Sequence, residues 1–231
     1  MNWLIENAGQ IGQLTLVHAE LSAVPIIVGF LLSIPIGWLT NRYRASRGTV
    51  LAIVGILYAI PSLPLFVALP SILGTRILDP INVVVALSIY AVAIMVRTAS
   101  DAFASVDVDV LLSATAVGFS TWRRFWSVEL PLAGPVLLSG IRVVSVSTIS
   151  LLSVASVIGT SSLGYFFLDG FQRNFPLEII VGIVGTIVIA VIFDTILAVG
   201  GRLLLPWTRG TRRRRRSREA AATDPTLAGV A

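Results

Sequence analysis

Val106–Pro135 reads VDVDVLLSATAVGFSTWRRFWSVELPLAGP, a long polar and amphipathic stretch set between two apolar runs. Gly118 interrupts it, and Glu129, Leu130 and Pro131 stand near its end. Phe119, Trp122, Phe125 and Trp126 recur at spacings of three and four, the period of one helix face. A connector of about thirty residues with its own helical pattern is an uncommon kind of loop, and such loops usually carry function. Two readings follow: a surface for a partner protein, or an amphipathic helix lying on a membrane without one.

Working outward, the 231 residues are 55% hydrophobic and 13% charged, with a mean hydropathy of +0.90. That balance is far from the soluble average and defines an integral membrane protein. No Cys is present, which excludes disulfides, thiolate nucleophiles and Cys-bound metals. All seventeen basic residues are Arg, so a phosphate-binding loop of the GxxxxGK[ST] type, which needs Lys, is impossible. The single histidine, His18, cannot build a metal site alone and is expected at the outer interface ahead of the first span. No GxSxG stands anywhere in the chain. The sequence therefore predicts no catalytic residue, no metal and no cofactor.

A helix needs roughly 20 apolar residues to cross a hydrocarbon core about 30 Å thick. Five runs approach that length: Leu21–Leu39, Val50–Leu73, Ile81–Val96, Leu132–Ile158 and Leu177–Val199. The third is short, and its end at Arg97 and Thr98 is expected to snorkel to the interface. Residues 1–20 carry no Arg and no cleavage-site pattern, so span one is expected to insert uncleaved.

Arginine placement sets the orientation, because Arg in short flanking loops is retained in the cytoplasm. Arg42, Arg44 and Arg47 lie between spans one and two, Arg97, Arg123 and Arg124 in or beside the long loop, and eight more from Arg202 onward. The opposite loops hold only Arg76 and Arg173. The N-terminus is expected outside, with the long loop and the C-terminus in the cytoplasm. The tail, with its Arg212 to Arg216 run, reads as disordered and suited to anionic lipid headgroups rather than nucleic acid.

Inside the spans, Ala59-Ile60-Pro61-Ser62-Leu63-Pro64 places two prolines three apart, which breaks or kinks the second span. Irregular backbone at that depth is tolerated where protein or water satisfies it, so Tyr58, Pro61, Ser62 and Pro64 are candidates for a pathway wall, or for a packing kink. Ser145, Ser147, Thr148, Ser150, Ser153 and Ser156 in span four suit close helix approach more than solute ligation. Arg142 and Asp194 are ionisable groups within apolar sequence, and their similar depth predicts a structural ion pair between spans four and five.

The long loop resembles the cytoplasmic signature of the inner-membrane subunits of binding-protein-dependent ABC importers. That signature is EAA, then Gly, then the Pro of a Leu-Pro pair at the spacing that separates Gly118 from Pro131 here. Ser113 and Ala114 hold the two Ala positions, and Leu112 replaces the Glu. The resemblance runs from about Leu14 to Pro206 through Ile34-Pro35-Ile36-Gly37, Ile60-Pro61-Ser62-Leu63 and Asp169-Gly170-Phe171-Gln172, and points to the osmoprotectant branch.

The resemblance implies an all-α membrane protein of about five transmembrane helices in a type I importer permease (MetI-like) arrangement. Residues 1–20 would form an extracellular segment, 21–206 the permease domain with a coupling loop at about 97–131, and 207–231 the cytoplasmic tail. Leu112, Ser113, Ala114, Gly118, Phe119, Trp122, Phe125, Trp126, Leu130 and Pro131 would dock on the ATPase. The implied partners are ABC ATPase subunits, an extracellular solute-binding protein, a second permease subunit and membrane lipids, with no nucleic acid. The implied solute is an osmoprotectant such as glycine betaine, choline or carnitine, carried across the plasma membrane at the expense of ATP hydrolysed on a partner chain. The alternatives are a permease for methionine or another small solute, a non-transporting scaffold, and a passive channel.

Overall fold

A computed structural model of the chain describes residues 2–207. Almost all of them are helical: α1 (Asn2–Glu6), α2 (Ala8–Arg42), α3 (Arg44–Ala59), α4 (Ser62–Leu73), α5 (Pro80–Ala104), α6 (Val108–Ala116), α7 (Thr121–Arg124), α8 (Leu130–Val154), α9 (Gly164–Gln172) and α10 (Pro176–Leu204). A π turn, Phe125–Glu129, joins α7 to α8, and a 3-10 turn, Ala155–Ile158, extends α8. Among the described residues four helical runs are long and apolar enough to cross a membrane: Ala8–Arg42, Pro80–Ala104, Thr121–Ile158 and Pro176–Leu204. The pair α3 and α4 supplies a fifth only as a broken span, bent by 99° at Ile60 and Pro61.

Two spans differ in extent from the sequence expectation. The first helix begins at Ala8, thirteen residues ahead of the apolar run at Leu21, because polar side chains on one face do not interrupt the backbone ladder. The third runs from Pro80 to Ala104 and is long enough to span without distortion. Its apolar run ends at Val96, but its helix continues past Arg97 to Ala104. Its start is well specified, with Pro80 in the first turn and the Asp79 carboxylate accepting the Ile81 N–H at 3.0 Å.

Helix α5 is the centre of the bundle, packed by α2, α3, α4 and α8. Lipid tails are as apolar as leucine, so helices in a membrane associate through close packing, and small residues permit it. Gly29, Ser33 and Gly37 recur every four residues along α2 and face α5. A Cβ on Gly29 would stand 2.5 Å from Ala91 Cβ, and one on Gly37 would stand 2.5 Å from Ala99 Cβ. Between them the Ser33 hydroxyl donates to the Val92 carbonyl at 3.4 Å. On the other flank Gly140 of α8 lies against Thr98 and Met95. Helix α10 is joined to α8 where Gly201 meets Leu138, and to α9 where Gly170 meets Ile179.

His18 is wholly buried among the helices and not on the outer surface of the protein. The early start of α2 puts it ten residues into a helix, under the turn that precedes α9. The Leu163 N–H donates to its Nδ1 at 3.3 Å, which leaves Nε2 to donate to the Ile149 carbonyl at 3.0 Å. A neutral ring thus ties α2 to α8 and to the start of α9. Beyond α9, Arg173 bonds Glu178 at 2.8 Å and Asp169 at 2.9 Å. The hydrogen bond to Glu178, with the charges of both carboxylates, holds the guanidinium above its ordinary range.

Candidate functional site

At the end of the bundle where α5 stops, the chain builds a short knob from α6, α7 and the π turn. The Asp107 side chain caps α6 by accepting the Asp109 N–H at 2.9 Å. Gly118 ends it. The Gly118 N–H donates to the Thr115 carbonyl at 3.0 Å and the Phe119 N–H to Ala114 at 3.1 Å, a helix-terminating pair that requires a left-handed residue between. Gly118 supplies it with φ +89. The glycine is therefore a fixed corner that turns the chain from α6 into α7.

No residue of α6 is buried. Leu112, where the signature has Glu, is 63% exposed. Val108 and Val117 are exposed beside it, as is Ser113, whereas Ala114 is half-buried. The four aromatics of the amphipathic pattern divide. Trp122 and Trp126 point outward, edge to face at 5.7 Å, and Arg123 lies over the Phe119 ring at 4.7 Å. Phe125 turns inward, 5% exposed, between Trp38 at 5.1 Å and Phe103 at 5.9 Å. The π turn adds a residue to the helical repeat at this point, which rotates Phe125 onto the core. Leu130 and Pro131 are half-buried at the head of α8. The knob thus presents an exposed apolar surface at Leu112, Val117, Trp122 and Trp126.

Glu129, near the end of the stretch, is held by residues of two elements. It is 5% exposed. Its Oε1 accepts from Arg124 Nε at 2.8 Å, and its Oε2 accepts from the Trp38 indole N–H at 2.6 Å. Arg124 Nη1 continues to the Thr115 hydroxyl of α6 at 2.8 Å.

A second feature lies at the break between α3 and α4. Pro64 has no N–H to offer the Ile60 carbonyl four residues back, and the Tyr90 hydroxyl of α5 donates to that carbonyl instead. A cavity of about 590 Å³ opens beside the break. Tyr58, Pro61, Ser62, Tyr90, Ser147 and Ser150 are among the residues on its wall, and Pro64 is not. Tyr58 and Tyr90 stand edge to face at 6.2 Å, which brings together two tyrosines that are far apart in sequence.

Arg142 and Asp194 meet between α8 and α10, with Nε to Oδ1 at 2.6 Å and Nη2 to Oδ2 at 2.7 Å. Among the described residues no group of three His, Cys, Asp or Glu side chains comes together to hold a metal.

Residues 22–210 match the family described as binding-protein-dependent transport system inner membrane component. The choline transport system permease protein OpuBB of Bacillus subtilis (strain 168) is 31% identical over 206 residues, 89% of this chain and 94% of that protein. The glycine betaine/carnitine/choline transport system permease protein OpuCB of the same organism is 30% identical over 89% of this chain and 94% of its own length. The osmoprotectant import permease protein OsmW of Salmonella typhimurium is 29% identical over 85% of this chain and 93% of that protein. Among solved structures, the inward-facing MetNI methionine ABC transporter superposes with a TM-score of 0.68 at 21% identity, over 84% of this chain and 94% of that one. An amino acid ABC transporter with histidines gives 0.71 at 16% identity, over 86% and 96%. The helical bundle is thus the importer-permease fold, and the chain belongs to the binding-protein-dependent transport system inner membrane components, the permeases of ABC importers.

Proposed function

We propose that this chain moves a compact quaternary-ammonium osmoprotectant, such as glycine betaine, choline or carnitine, inward across the plasma membrane. ATP is hydrolysed on separate ATPase subunits, an extracellular binding protein delivers the solute, and a second permease subunit completes the path. The observation that carries the coupling is the exposed apolar surface of α6, α7 and the π turn around Leu112, Trp122 and Trp126. It suits insertion into a groove on a protein partner. The solute class rests on the relatives, whose names specify choline, glycine betaine, carnitine or osmoprotectants.

The path runs past the break at Tyr58, Pro61, Ser62 and Pro64, where a cavity adjoins irregular backbone at membrane depth. Arg142 and Asp194 act as a structural pair. The arginine distribution supports an outside N-terminus and a cytoplasmic knob. The Arg212 to Arg216 run lies beyond the described residues, and its charge suits anionic lipid headgroups. A methionine permease has only the likeness of fold behind it. A scaffold or a passive channel gains nothing from a knob bonded to the first span.

The test is ATP-dependent uptake in vesicles holding this chain with its ATPase and binding protein. Labelled choline or glycine betaine should accumulate, and methionine should not. Methionine uptake without uptake of any quaternary ammonium compound would overturn the solute assignment.

A further inference from the structure

Helix α6 stands outside the bundle, so a push on it needs a route inward. Leu111 packs against the core that holds Phe103 and Phe125, which gives a soft apolar contact. A second route is polar and directional. The Thr115 hydroxyl of α6 is bonded by Arg124 Nη1, Arg124 Nε reaches Glu129 Oε1, and Glu129 Oε2 holds the Trp38 indole, each step between 2.6 and 2.8 Å. Trp38 belongs to the last turns of α2, beside Gly37, whose contact with Ala99 and Ser100 of α5 leaves no space for a Cβ. The side chains of Arg124, Glu129 and Trp38 thus connect α6 to the close crossing of α2 and α5.

The chemistry at the middle of this chain is specific. Both neighbours of Glu129 are donors: the indole N–H can only donate, and so can the guanidinium. A carboxylate offers each its own oxygen, and hydrogen bonds to an ionised acceptor are the stronger kind. Burial makes them count for more, because water does not compete. The π turn that ends at Glu129 aims the carboxylate into the bundle.

We propose that Glu129 is the positioning residue through which the ATPase-facing knob drives the first membrane span, by way of Arg124 on one side and Trp38 on the other. The inference rests on the reading of the knob as the coupling element. It differs from simple docking in assigning the transmission to a carboxylate buried behind the exposed face of the knob.

The experiment measures solute transported per ATP hydrolysed by the complete transporter in vesicles. Glu129→Gln keeps size but presents an amide NH2 to one of two donors. It should assemble, retain ATP hydrolysis and lower solute moved per ATP by about tenfold, within the usual range of coupling between sites. Trp38→Phe, which breaks the relay at its far end, should lower the ratio too, and adding it to Glu129→Gln should lower it little further, because both changes cut one route; two independent structural defects would add. If Glu129→Gln fails to assemble, Trp38→Phe alone carries the test and should lower the ratio with assembly intact. An unchanged ratio in the variant that assembles, while Gly118→Val lowers it, overturns the relay and leaves the coupling loop standing. An unchanged ratio in both overturns the coupling loop as well.

Discussion

The Tyr90 hydroxyl donates to the Ile60 carbonyl, the acceptor that Pro64 leaves without its helical partner. A tyrosine on α5 thereby completes the backbone of a different, broken span. Removing the hydroxyl strands a carbonyl where other donors are scarce, and a buried unsatisfied acceptor costs about 1–3 kcal/mol. Tyr90→Phe should lower the thermal midpoint of the purified protein, and Tyr58→Phe, which removes no such bond, should not. Equal midpoints for wild type and Tyr90→Phe would mean that something else satisfies Ile60.

Gly118 tests the corner between α6 and α7. A Cβ there meets no neighbour within the chain, so the cost of substitution to the fold comes from the backbone angle. Holding a non-glycine residue at such an angle costs roughly 1–3 kcal/mol, most for β-branched residues and least for Asn. Solute uptake should fall in the order Gly, Asn, Ala, Val at equal amounts of assembled protein. Full uptake with Gly118→Val would show that the corner can be reshaped without consequence.

Arg142 and Asp194 form a fork-to-fork pair between α8 and α10. Replacing one partner strands a charge within an apolar span, whereas replacing both removes the liability. Arg142→Leu or Asp194→Leu alone should lower the folded yield in membranes, and the double variant should recover part of it. Additive losses would mean that the two residues act independently.

The α2 and α5 crossing makes a fourth prediction. Gly29→Ala would press a methyl to 2.5 Å from Ala91 Cβ, and overpacking of this kind costs roughly 1–3 kcal/mol. Ala91→Gly in the same chain should return much of the lost thermal stability, because it removes the atom that is struck. No loss in Gly29→Ala would show that the helices separate freely.

The spans were legible because bilayer thickness imposes a length on apolar runs. What hydropathy does not report is a helix that continues after its apolar run ends, as α5 does beyond Arg97 and α2 does ahead of Leu21. His18 looked interfacial because it precedes the first apolar run, and its partners Ile149 and Leu163 lie far away in sequence. The aromatic pattern of the knob was visible, but a helical period of 3.6 cannot foresee the π turn that draws Phe125 inward. Glu129 is visible beside Leu130 and Pro131, but its bond to Trp38, 91 residues away, is not. The four-residue spacing of Gly29, Ser33 and Gly37 stands in the sequence, whereas the alanines it receives are identified only by the fold.

That interlock has a kinematic consequence. Two helices whose backbones touch at Gly29 and again at Gly37 can neither slide nor roll against each other without climbing over Ala91 or Ala99. Helices α2 and α5 are therefore expected to travel together, as a single strut. Compliance must reside elsewhere, and the 99° elbow of α3 and α4, hung on α5 by the Tyr90 hydroxyl, is where the strut meets a joint. Because the chain has no native cysteine, labels can be attached at Leu31 and Ile81 after single replacements. The distance between them should stay constant through the ATP cycle, while a pair spanning the elbow should change.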